Sequence, residues 1–159
     1  MSGHAVKGDP AGAGAVTTRD ARAGDAPAIA VLAGQLGYPV TSAQIAERLR
    51  RQEAMTDRRV IVAVDDSDAV LGWTTVAVEE HIHSDPYVEI SGFVVEEKER
   101  GRGVGRTMMT EVERWTRRQG LTVVRLHANV TRAPAHRFYA ALGFAKMKEQ
   151  IVFRKVLAG

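Results

Sequence analysis

The densest chemistry in the sequence is the run Arg100-Gly101-Arg102-Gly103-Val104-Gly105-Arg106-Thr107. Glycines let a backbone turn tightly and bring bare N–H groups close to a ligand. The interleaved arginines carry positive charges that match phosphate oxygens. An amphipathic stretch follows at once, so the loop opens a helix whose N-terminal N–H groups and dipole also favour an anion. This is an anion site. Counting excludes two common phosphate motifs. A P-loop needs glycine five positions before Gly105, where Arg100 stands, and lysine where Arg106 stands. A dinucleotide fingerprint begun at Gly101 or Gly103 would put its third glycine on Arg106 or Met108.

A second motif follows downstream, Ala135-His136-Arg137-Phe138-Tyr139-Ala140-Ala141-Leu142-Gly143-Phe144. Together the two resemble the signature of the GNAT superfamily of N-acetyltransferases. Its first half is Gln or Arg, two residues, Gly, one residue, then Gly or Ala, matched by Arg100, Gly103 and Gly105. Its second half is Ala, two residues, Phe-Tyr, three residues, Gly-Phe, matched from Ala135 to Phe144. Many members carry asparagine seven positions before the tyrosine; here that position is Arg132, with Asn129 nearby.

The resemblance implies a cosubstrate, acetyl-CoA, and a set of site residues. The loop from Arg100 to Thr107 would hold the pyrophosphate, with amides from Arg102, Gly103, Val104, Gly105, Arg106 and Thr107. Phe93, Val94 and Val95 would run alongside the pantetheine and acetyl group. Asn129, Arg132, Ala135 and Phe138 would flank the same arm, and the Tyr139 hydroxyl would face the thioester sulfur. Acyl transfer expels a thiolate, and a tyrosine with a pKa near ~10 can protonate it. The acceptor amine must lose a proton, and Glu89 is the candidate base; a water-mediated route is the alternative. No metal is implied. His81 and His83 with Asp85 make an incomplete ligand set and read as loop residues.

These groups need a scaffold. Val16 to Arg19 reads as a short strand. Ala26 to Leu36 has helical spacing with Asp25 as its N-cap. Thr41 with Gln44 forms a capping box for a helix over Ala43 to Gln52. Arg59 to Val64 and Val70 to Val78 read as a hairpin about the turn Asp65 to Asp68, with Gly72 marking a bulge or a close backbone approach. Glu79 to Pro86 reads as a loop, Val88 to Val95 as a strand, and Gly103 to Gln119 as a long helix. Leu121 to Ala128 reads as a strand, Pro134 to Leu142 as a helix stopped by Gly143, and Ala145 to Leu157 as one or two strands. The fold class is α/β (α+β): the resemblance implies a mixed sheet of six to seven strands flanked by about four helices. The domain spans residues 16–159, behind a flexible tail over residues 1–15.

Composition limits the alternatives. The sequence has no cysteine, which removes disulfides, thiolate metal sites and a cysteine nucleophile. It has no signal-peptide pattern or apolar run long enough to span a membrane, so a cytoplasmic location is expected. The net charge of +3 and the glutamates at 96, 97 and 99 argue against a nucleic-acid partner. The partner expected is a small-molecule or peptide amine; homodimerisation is an expectation by analogy. The competing class is a non-catalytic CoA-binding regulatory module.

Overall fold

The computed structural model describes residues 14–159. The expected tail therefore lies outside the described residues except for Gly14 and Ala15. Two compact units divide the chain, one ending at Leu126 and one beginning at His127.

The first unit holds β1 (Thr17–Asp20), α1 (Ala26–Gln35), α2 (Ser42–Gln52), β2 (Arg58–Val64), β3 (Val70–His81), β4 (Ser84–Val95), α3 (Val104–Arg118) and β5 (Val124–Leu126). Its sheet runs in the order β1-β2-β3-β4-β5. The first three pairings are antiparallel and β4–β5 is parallel, as the α3 crossover between them requires.

Side-chain alternation sorts the sheet into two faces. Val60, Val62, Val64 and Trp73 meet Ile29 and Ile45 of α1 and α2 on one face, with Leu49 among them. On the other, Ala63, Leu71, Phe93 and Val95 meet Val104 and Met108 of α3. Met108 and Val112 of α3 are fully buried, as the helical stripe in the sequence requires.

Two local signals act as expected. Thr41 Oγ1 accepts from the Gln44 N–H at 3.1 Å, and Gln44 Oε1 accepts from the Thr41 N–H at 3.0 Å, closing the capping box. Gly72 sits against a register shift in β2–β3 and so close to β4 that an added Cβ would lie 2.7 Å from Val94 O.

Four expectations change. Asp25 is the N-cap residue of α1, as expected, but makes no side-chain cap bond to it. Its carboxylate instead accepts the Arg22 N–H at 2.7 Å and both terminal nitrogens of Arg19 at 2.8 and 3.0 Å. The expected loop over Glu79 to Pro86 is strand on both sides of a turn at Ile82 and His83. Pro86 is tolerated because the β3–β4 register is irregular between Glu79 and His81, where no regular ladder bond is lost. β5 covers only Val124–Leu126 of the expected Leu121 to Ala128.

The fourth change is at the C-terminus: residues 144–159 carry no helix or strand. The sheet among the described residues thus has five strands rather than six or seven. The apolar pattern of Ile151-Val152-Phe153 suits a strand, but a strand exists only where a neighbouring edge takes up its N–H and C=O groups. These residues stay exposed.

The second unit is built on α4 (Ala133–Ala141), with Pro134 in its first turn. Gly143 ends it at φ +89°, where Phe144 N–H reaches back to Tyr139 O at 3.0 Å.

Candidate active site

Three features of the first unit converge at the end of β4. The β4–β5 ladder consists of Val88–Val124, Glu89–Arg125 and Ile90–Leu126, and stops there. β4 itself runs on to Val95, still paired with β3 through Gly72. Glu96 N–H donates to Leu71 O at 2.8 Å, across to the β3 side. Alternation then turns the Val95 N–H to the opposite side, where β5 no longer follows.

The second feature is a bulge. Thr75 pairs with Gly92 and Val76 with Ile90, leaving Ser91 as the extra residue of β4. Its hydroxyl lies 2.7 Å from Thr75 Oγ1. Gly92 is fitted beneath Trp73, whose ring would be 2.6 Å from an added Cβ.

The third is the glycine loop. Gly101 and Gly103 hold φ of +83° and +79°, a region where a side chain is strained, and an added Cβ at either would meet nothing within 4 Å. Gly103 is the N-cap of α3 and supplies no side-chain cap; the first turn of the helix has no acidic residue. The first helical bond recorded is Thr107 N–H to Gly103 O at 2.9 Å, so the N–H groups of Val104, Gly105 and Arg106 precede it. Arg100 and Arg106 are exposed, whereas Arg102 is paired with Glu99. The adjacent Glu96 accepts from Gln35 Nε2 at 3.3 Å. Two of the nearby glutamates therefore have partners of their own.

Glu89 stands on the face that carries Trp73, Thr75 and Ala77, opposite Ala77 on β3 and Arg125 on β5. Two residues earlier, Tyr87 is buried under the Arg125 guanidinium, which sits 4.0 Å from its ring centre. Tyr87 Oη lies 3.2 Å from His81 Nε2, and His81 stacks on His83. Among the described residues no group of three or more potential ligands could hold a metal ion. Tyr38 is exposed in the turn after α1.

In the second unit, Tyr139 is packed edge-on between Phe138 and Phe144, at ring-centre distances of 5.4 and 5.8 Å. Burial pushes its hydroxyl above the ordinary phenol value, and the Arg132 charge partly opposes the rise. The phenol therefore stays protonated through neutral pH. Asn129 Oδ1 is engaged in a turn, accepting from Thr131 N–H at 3.0 Å and Thr131 Oγ1 at 2.9 Å. Its backbone oxygen lies 2.8 Å from His136 Nε2. Ala135 is half-buried on α4.

Residues 25–144 match the family model described as the acetyltransferase (GNAT) family, three quarters of the chain. The chain belongs to the GNAT acetyltransferase family. It is similar to an aminoglycoside N(6')-acetyltransferase type 1 of Stenotrophomonas maltophilia, 28% identical over 149 residues that cover 91% of this chain and 96% of the relative. A solved aminoglycoside N-acetyltransferase in complex with CoA superposes with a TM-score of 0.78 at 19% identity, covering 89% of this chain and 95% of that one. A transcriptional regulator from Bacillus halodurans gives the same TM-score of 0.78 at 22% identity, with 89% and 100% covered. At such identities the likeness establishes the GNAT fold and leaves the chemistry to the residues.

Ser91, Thr75, Tyr87 and Arg125 went unmarked in the sequence. The signal for Ser91 was present: Ser91-Gly92 interrupts an apolar strand, which is where bulges form.

Proposed function

We propose that this GNAT protein is an N-acetyltransferase that moves the acetyl group of acetyl-CoA to a primary amine by direct attack on the thioester. One observation carries the reading: two left-handed glycines open α3, with no acid in its first turn, directly beyond the point where β5 leaves β4. Bound acetyl-CoA supplies the activated acetyl thioester. The loop Arg100 to Thr107 holds its pyrophosphate through N–H groups and arginine charge. Phe93, Val94 and Val95 align the arm as an added strand would, and a strand N–H such as that of Val95 stabilises the oxyanion. Asn129, Arg132, Ala135 and Phe138 flank the arm; the engaged Oδ1 of Asn129 leaves its amide nitrogen for that role.

The amine's proton passes to Glu89 or to water as the C–N bond forms. Tyr139 gives its proton to the thiolate as the C–S bond breaks, for which a phenol protonated at neutral pH is suited. The acceptor class is a small-molecule or peptide amine, and the names of the relatives make an amino sugar the first to assay.

Thermal melts with acetyl-CoA, ATP and duplex DNA test the donor. A ligand at a hundred times its Kd stabilises by about 2.7 kcal/mol, which is roughly 5–10 °C for a domain this size. Only acetyl-CoA is expected to do so; no shift at millimolar acetyl-CoA refutes the reading. Tyr139→Phe should then lower thioester turnover by roughly 10²-fold while leaving that shift in place.

A further inference from the structure

The hydroxyl pair at the β4 bulge stands outside the residues proposed above to hold the donor. Ser91 is the unpaired extra residue of the bulge, one position beyond the last β4–β5 pair. Alternation puts Ser91 on the face of Glu89, and the bulge sets Ser91 and Gly92 together against the single residue Thr75. Here Ser91 Oγ is turned onto Thr75 Oγ1 at 2.7 Å, on the face that also carries Glu89 two residues back. Ser91 is exposed, so the bond adds little to stability. A hydroxyl can accept and donate at once, and either member of the pair can be the donor.

Resting on the acetyltransferase reading, we propose that Ser91 is the catalytic relay between the acceptor amine and Glu89, with Thr75 as its positioning residue. The amine N–H donates to Ser91 Oγ. From the bound ammonium form that oxygen takes one N–H proton while its own hydroxyl proton passes, through one water, to the Glu89 carboxylate; the freed amine then attacks the thioester, and the second proton, shed as the C–N bond forms, leaves to water. Ser91 ends neutral, and Glu89 ends protonated and later releases the proton to solvent. Two residues along a strand span about 6.4–6.8 Å, a gap that a glutamate side chain and one water bridge. Thr75 fixes the serine rotamer from β3, and Gly92 leaves room for Trp73 beside the pair. The charged and titratable groups on this face of the sheet are Arg19 of β1, Arg58 of β2, Glu79 and His81 of β3, Tyr87 and Glu89 of β4, and Arg125 of β5.

The test uses the full chain, acetyl-CoA and a panel of primary amines that includes kanamycin and a lysine peptide. Ser91→Ala should lower kcat/KM for the accepted amine by about 10²-fold at neutral pH. The deficit should shrink as pH rises toward the amine's own pKa, where the free base needs no relay. Ser91→Thr should restore most of the rate, and Thr75→Val should lose part of it while Thr75→Ser does not. The melting shift with acetyl-CoA should match wild type in every variant. A Ser91→Ala deficit that is absent, or constant with pH, overturns the relay. Loss of the acetyl-CoA shift in Ser91→Ala overturns it as well, by assigning the serine to the donor site. Wild type that binds acetyl-CoA but acetylates no amine overturns the catalytic reading itself and the relay with it.

Discussion

Gly72→Ala probes how tightly β3 grips the strand that carries the candidate acyl site. The new Cβ would stand 2.7 Å from Val94 O and 3.1 and 3.4 Å from Met108 Cε and Sδ. The methionine end can swing aside. The carbonyl cannot, because Val94 is buried in β4 and paired with Trp73. Overpacking of this kind costs about 1–3 kcal/mol, and the smaller entropy loss of alanine returns about 0.5–1 kcal/mol. The net is a loss of up to about 2.5 kcal/mol, or up to roughly 10 °C in melting temperature for a domain this size. The strand must also move away from β3, toward the side on which the thioester arm would lie. The KM for acetyl-CoA should therefore rise along with the drop in stability. Thermal melts and initial rates at varied acetyl-CoA measure both. A variant that melts with wild type and keeps its KM would show that the close approach constrains nothing.

Two further outcomes follow from the same geometry and charges. Gly103→Ala places a side chain at φ +79° with open space around it, so only backbone strain of about 1 kcal/mol acts. Acetyl-CoA affinity should fall about fivefold, whereas Gly34→Ala, inside α1 with equally open space, should be stabilising. Direct titration by calorimetry checks the first and a melt the second. The hydrogen bond from Arg19, against the opposing effect of burial, holds the Asp25 carboxyl below the ordinary aspartate value. Its folded pKa lies below the unfolded one, so its stabilising contribution is present above about pH 4 and lost as pH falls further. A pH series of melts should show that acid-side loss reduced in Asp25→Asn.

The parts legible in the sequence were those where one residue type answers one backbone demand. Gly101, Gly103 and Gly143 mark left-handed positions, and Thr41 with Gln44 marks a helix start, because those requirements are local. Where pairing with another strand decides, the pattern misleads. Asp85-Pro86 has turn chemistry, yet it lies within β4, held between the pairs that Ser84 and Tyr87 make with β3 on either side. Glu111 reads as part of a solvated helix face. It is buried, and although desolvation raises its carboxyl, hydrogen bonds from Arg59 and Arg118 win and lower it. Arg114 adds a third bond at 3.0 Å. Arg59 lies 52 positions away, a partnership no spacing rule reaches. The strand pattern of Ile151 to Leu157 likewise specifies an edge-seeker without naming an edge. For the candidate site, the motifs located the loop and Tyr139, while the bulge that turns Ser91 toward Thr75 depends on register.

The parallel β4–β5 contact has a consequence for the order in which the molecule is made. β1 aside, the strands up to β4 pair with near neighbours in the chain, whereas Val124 reaches Val88 only after the whole of α3 has been laid down. Closing that longer loop costs chain entropy that only three residue pairs and the docked helix repay. The meander can thus assemble first as a half-sheet, and the gap at Ile90 opens when β5 arrives and stops short. The last step of folding is then the one that shapes the cleft, and an unliganded molecule under stress should come apart there first, along the seam its cosubstrate would close.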